Sequence, residues 1–230
     1  VALFIAAVIE APGRAMFQIT SPLVSDALNT NNKIYLKDIL IKSSKNLLIV
    51  SGGFFLLINL NLVDFYDFVN QPKYAIATGV VSIVSIGKLY SMSIGCLNNI
   101  ISNSKYYPYI FWFSILSAIM AVALNLILIP KYGIIGAAYA TLLVILFINT
   151  LKVILIAINF NIYPYSGDTI KIAFTIVLVY FSIEFIELNY SSFINILIRS
   201  ILIFFIYSTI IYFLGLGREI NNQIKKVLKT

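Results

Sequence analysis

The sequence predicts an all-α fold, a polytopic membrane bundle of about seven transmembrane helices, on three observations. The chain is 60% hydrophobic and only 11% charged, with a mean hydropathy of +0.96, against about 25% charged residues in soluble domains. Its apolar residues come in runs as long as a bilayer crossing, about 20 residues. No run alternates apolar and polar in the manner of a membrane β-strand.

Seven stretches qualify, running approximately from Leu3 to Pro22, Leu47 to Leu62, Ala75 to Leu97, Tyr109 to Ile129, Gly133 to Ile158, Ile170 to Ile186 and Phe193 to Leu214. The first carries charges and the second is short. Residues 23–46 form a basic connector whose segment from Lys33 to Lys42 mixes apolar and basic residues, which suits a helix lying among lipid headgroups. Pro130 and Lys131 make a minimal polar break, so the fourth and fifth stretches read as a helical hairpin. Residues 216–230 form a basic tail.

The net charge of +7 invites a nucleic-acid reading, which the lysine distribution rejects. Lys33, Lys37, Lys42, Lys45, Lys105, Lys152, Lys171 and the tail lysines fall on one side, and only Lys73 and Lys131 on the other. By the positive-inside rule the tail is cytoplasmic and Val1 lies outside. Phe65, Tyr66, Phe68, Tyr106, Tyr107, Tyr109 and Trp112 fall where helices reach the interfaces. A single cysteine, Cys96, excludes an intrachain disulfide, and the absence of histidine removes histidine-based metal sites and acid–base chemistry. Neither a cofactor nor a metal is expected. The first residue, with no Met or basic leader, reads as a truncated start.

Charges at membrane depth are costly and mark functional candidates. Lys88 lies roughly 13 Å from the inner end of its helix at 1.5 Å per residue. Thr78, Ser82, Ser85, Lys88, Gly95 and Asn99 share one face, opposite Val80, Ile83, Ile86, Tyr90, Ile94 and Leu97, which read as facing lipid. Lys88 either attracts an anionic headgroup, or pairs with a buried acid or reaches toward the interface. Glu10 and Arg14 are one turn apart and can pair with each other, beside a Pro12-Gly13 interruption; Arg14 can also bind phosphate oxygens. Lys152 and Arg199 read as snorkelling, Asn59, Asn61 and Asn125 as interhelical bridges, and Asp64 and Asp67 as solvated loop acids. The small residues Gly133, Gly136, Ala137 and Ala140 read as helix packing rather than a nucleotide-binding loop, since no βαβ unit surrounds them.

The run Asn125-Leu126-Ile127-Leu128-Ile129-Pro130-Lys131-Tyr132-Gly133-Ile134-Ile135-Gly136-Ala137-Ala138 resembles a segment of bacterial oligosaccharide flippases. These are polysaccharide-export (O-antigen type) members of the multidrug/oligosaccharidyl-lipid/polysaccharide superfamily. Ser21-Pro22-Leu23-Val24, and Gly95-Cys96-Leu97-Asn98-Asn99 followed by Ser104-Lys105-Tyr106-Tyr107, fit more loosely. The resemblance covers residues 1–158, while the two helices of residues 159–215 match in pattern alone. It implies the carboxy-terminal lobe, helices eight to fourteen, of a two-lobed transporter of the bacterial inner membrane whose amino-terminal lobe is absent. It also implies movement of a polyprenyl-diphosphate-linked oligosaccharide from inner to outer leaflet by alternating access. Arg14 and Lys88, with Ser85 and Asn99 on the polar face, are then the headgroup candidates; no catalytic role is expected. The competing readings are a cation-coupled multidrug antiporter, for which Glu10 is the one deep acid, a membrane oligosaccharide polymerase or glycosyltransferase, and a non-transporting membrane subunit. Short outer connections leave little room for an enzyme's acid–base set.

Overall fold

A computed structural model describes residues 2–70, 78–186, 188 and 190–217. Lys73, the start of the third stretch at Ala75, and the tail from Arg218 onward lie outside the described residues. Within them the chain is 86% helix with no strand. Four helical stretches are long and apolar enough to cross a membrane. Phe4, Leu126, Ile158 and Phe213 are each more than 70% exposed, an outward apolar surface that suits lipid rather than water. The protein is a membrane-embedded helical bundle.

The chain starts with α1 (Ala2–Ala7), tightens into a 3₁₀ turn (Val8–Glu10) and continues as α2 (Ala11–Asn29). Pro12 explains the interruption. It has no N–H for the carbonyl four residues back and its ring crowds that carbonyl, and the Ala11 N–H closes onto Val8 instead.

A three-residue turn then reverses the chain. Asn31 takes the left-handed conformation at φ 51°, and the Asn32 side chain accepts the Tyr35 N–H at 3.0 Å to cap α3 (Lys33–Phe68). At 36 residues α3 is about 54 Å long, well beyond the roughly 30 Å of a hydrocarbon core. The expected interfacial helix over 33–42 is therefore not a separate element. Its apolar residues Leu36, Ile39 and Leu40 are buried against Val24 and Ala27 of α2 and against Ile94, Leu97 and Ile100, so they face a protein core rather than headgroups.

The third stretch is broken as well. Helix α4 (Thr78–Ser93) stops three residues before α5 (Leu97–Ser102). Gly95, at φ 63°, sits so close to α3 that a Cβ would lie 2.6 Å from the Ser44 nitrogen. The freed backbone groups find partners on α3: the Ser44 hydroxyl bonds the Ser93 carbonyl, and the Cys96 N–H bonds the Ser43 hydroxyl at 3.0 Å.

Helix α6 (Pro108–Phe160) is a hairpin. Its 53 residues would reach about 80 Å if straight, yet Tyr106 and Phe160 bring the two ends together with ring centroids 5.6 Å apart. The reversal falls on Gly133, at φ 59° and ψ −137°, a conformation that costs glycine alone little. A Cβ at Gly133 would meet nothing within 4 Å among the described residues, so no close helix contact depends on this glycine. One does depend on Gly136: a Cβ there would collide with the Leu128 carbonyl of the first limb. Ala138 and Ala140 are buried behind it, and Ala137 is half-buried.

Ser166 opens α7 (Gly167–Glu184) with a reciprocal capping box to Thr169, and α8 (Ser192–Phe213) is the last helix among the described residues. Both lie on α3, around a core of Leu48, Leu56, Ile176, Ile203 and Tyr207. A smaller core joins Ala6, Leu62, Tyr66, Val81, Val84 and Ala138. Val80, Ile94 and Leu97, expected to face lipid, are buried: Val80 because α4 is enclosed by α1, α3 and α6, and Ile94 and Leu97 because they enter the core with Val24, Leu36 and Leu40.

Candidate functional site

The two interruptions, at Val8–Glu10 and at 94–96, border the same space. A cavity of about 550 Å³ opens between α1–α2, the end of α4 and the second limb of α6. Glu10, Arg14, Ser91, Asn98, Asn149 and Lys152 supply its polar wall, and Phe4, Val8, Phe17 and Met92 part of its apolar one. Gly13 lets α2 close on α4 here, since a Cβ would lie 2.9 Å from the Met92 sulfur.

Glu10 does not pair with Arg14. Its Oε2 accepts a hydrogen bond from Lys88 Nζ at 2.8 Å, joining the 3₁₀ turn to α4. Two cations on the cavity wall then remain without an acid: neither Arg14 nor Lys152 forms an ion pair among the described residues. Of the four charged groups, Lys88 and Glu10 cancel and two positive charges are left. The Asn149 amide donates to the Ser91 hydroxyl at 2.9 Å, which fixes the second limb of α6 against α4 and sets Lys152 one turn further along the same wall.

The four residues expected on the headgroup site separate. Arg14 lines the cavity; Lys88 is behind it, occupied with Glu10. Ser85 is fully buried, its hydroxyl without a hydrogen-bond partner among the described residues. Asn99 donates to the Phe17 carbonyl at 2.8 Å and the Thr20 hydroxyl at 2.9 Å, fastening α5 to α2. Asn149, Asn98 and Ser91 enter the site unannounced by their local sequence, and Lys152 lines it as well. The spacing of Asn149 and Lys152 on one helical face is the signal that could have found them.

Other expectations change for the same reason. Asp64 is within α3, not in a loop, and Arg199 does not snorkel: they pair at 2.5 Å, each about 15% exposed. Asn61 does bridge helices, donating to Ser200 at 3.2 Å, whereas Asn59 and Asn125 donate to carbonyls of their own helices. On the basic side, Lys45 bonds Asp168 at 2.8 Å, and this hydrogen bond, above all other causes, holds the Asp168 carboxyl below its ordinary range.

Fold and site together define a membrane-embedded helical bundle with a polar cavity whose lining carries Arg14 and Lys152. Comparison with protein-family models, curated proteins and solved structures gives no match.

Proposed function

We propose that the chain is a lobe of a transporter that moves a polyprenyl-diphosphate-linked oligosaccharide from the inner to the outer leaflet of a bacterial inner membrane, by alternating access. The observation that carries this reading is the pair of cations, Arg14 and Lys152, that line one cavity and form no ion pair among the described residues. Unpaired charge at membrane depth is retained where it meets a counter-charge or water, and guanidinium and ammonium groups are the usual partners of phosphate oxygens. The seven crossings of this reading are α1–α2, α3, α4–α5, the two limbs of α6, α7 and α8, with the basic tail cytoplasmic. Interrupted helices typically form the substrate sites of such transporters. The resemblance of the Asn125 to Ala138 run supports the same class.

A cation-coupled antiporter is the weaker reading, because Glu10, its natural ion site, is held by Lys88. The test is surface-polysaccharide export by cells carrying the full-length protein. Arg14→Ala and Lys152→Ala should each lower export by roughly tenfold, the loss of one charge-assisted hydrogen bond, with membrane insertion unchanged. Lys88→Ala should impair export indirectly, by freeing Glu10 into the cavity. Normal export from the Arg14→Ala/Lys152→Ala double variant would remove the cavity from the mechanism.

A further inference from the structure

Away from that cavity, α7 packs on α3 and α8 while α4 packs on α3 and α6, and a groove runs between α4 and α7 with α3 as its floor. Two adjoining hollows of about 420 and 340 Å³ share Leu48, Ile86, Leu89 and Ala173, so they form one continuous channel. Its walls are almost wholly apolar. One end reaches Phe181, and the other reaches the hydroxyl-bearing Ser93, Tyr165 and Thr169 at the lysine-rich side.

We infer that this groove binds one acyl chain of an anionic glycerophospholipid from the lysine-rich leaflet, with its phosphate at the Lys45–Asp168–Lys171 cluster. The length fits. From Thr169 to Phe181 the α7 wall rises about 18 Å, close to the roughly 15 Å of hydrocarbon in one leaflet. A polyprenyl tail is longer than one leaflet and would project from the far end.

The charge fits too. Lys45 precedes Leu48 by one helical turn and so stands at the mouth of the floor. It shares Asp168 with Lys171, at 2.8 and 3.7 Å. Two ammonium groups on one carboxylate leave one positive charge where a lipid phosphate sits. The Lys171 side chain is 59% exposed and free to swing toward it. A zwitterionic headgroup gains less there, because its own cation faces the lysines. Filling the groove would also join α7 and α4 through the lipid. This assignment goes beyond the transport reading and takes from it only the orientation of the lysine-rich side.

The test is lipid retention by the purified, delipidated full-length protein, followed by native mass spectrometry. Phosphatidylglycerol and phosphatidylcholine of identical dioleoyl chains are supplied, and separately a polyprenyl phosphate. One phosphatidylglycerol per chain should be held, roughly tenfold more tightly than phosphatidylcholine, as expected where lysines select anionic lipid. Ala173→Phe, which fills the shared waist of the groove, should abolish retention. Asp168→Asn, which raises the charge at the mouth, should strengthen phosphatidylglycerol binding and leave phosphatidylcholine unchanged; a merely structural role for Asp168 predicts weakening of both. Equal retention of the two phospholipids, full retention by Ala173→Phe, or displacement of phosphatidylglycerol by polyprenyl phosphate would each overturn the assignment. Retention is read without transport, so its failure is distinct from a failure of export.

Discussion

Two of the ion pairs that join helices in this bundle are built to different standards. Arg199 on α8 bonds Asp64 Oδ2 at 2.5 Å and donates again to the Leu60 carbonyl at 2.8 Å. The second oxygen of Asp64 accepts the Asn195 amide at 3.0 Å, and Asn195 in turn bonds the Leu188 carbonyl and the Tyr190 N–H. Both carboxylate oxygens are used, and the cluster is bound to the loop that starts α8. Glu10 and Lys88 share one bond, at 2.8 Å, with 32% and 24% of their side chains exposed at the edge of a cavity. A saturated pair is a fastening; an under-coordinated one beside two unmatched cations can change partners.

The sharpest way to break this comparison is to remove Arg199. Arg199→Met leaves Asp64 charged and enclosed, and removal of one partner from a buried pair costs about 3 to 5 kcal/mol. Thermal unfolding in detergent should show a larger loss for Arg199→Met than for any substitution at Lys88 or Asp168. Lys88→Met should cost less, roughly 1 to 3 kcal/mol for one lost charge-assisted bond, because Glu10 can turn to the cavity and to Arg14. Adding Glu10→Gln to Lys88→Met should recover part of that loss. If Lys88→Met proves as damaging as Arg199→Met, the two pairs are equivalent and the distinction fails.

Composition and run length sufficed for the all-helical class and for the α6 reversal, because hydrocarbon length and the Pro130–Gly133 punctuation are local properties; they did not show the break between α4 and α5 or the full length of α3. Glu10, Arg14 and Lys88 were legible in the same way, as charges inside apolar runs. Pairing was not. A helical wheel relates residues three or four apart, so it offered Glu10 to Arg14, whereas the actual partner is 78 residues away. Asp64 looked like a loop acid because the apolar run ends at Leu62, although α3 continues to Phe68 and brings it to Arg199, 135 residues on. The segment from Lys33 to Lys42 misled for a related reason. Apolar residues at helical spacing look alike whether they face headgroups or the neighbouring α2 and α5.

The smallest expected effect belongs to a third pair, outside the hydrocarbon, and it places the first two on a scale. Lys45 and Asp168 clasp α3 to the first turn of α7. The Lys45 hydrogen bond lowers the Asp168 carboxyl from its ordinary value of 3.8, against an opposing contribution from burial. A depressed carboxyl stabilises the fold at pH above its unfolded value, and that contribution disappears as pH falls through the still lower folded value. The wild-type melting temperature should therefore drop on acidification from about pH 5 to below pH 4, with part of the drop absent in Asp168→Asn. Asp168 is 37% exposed, so solvent screening holds the difference under about 1 kcal/mol, and roughly 1 M salt should erase most of it. A pH-dependent loss as large as that of Arg199→Met would mean that the clasp, rather than the Arg199 cluster, is the main fastening of α3 to the last two helices.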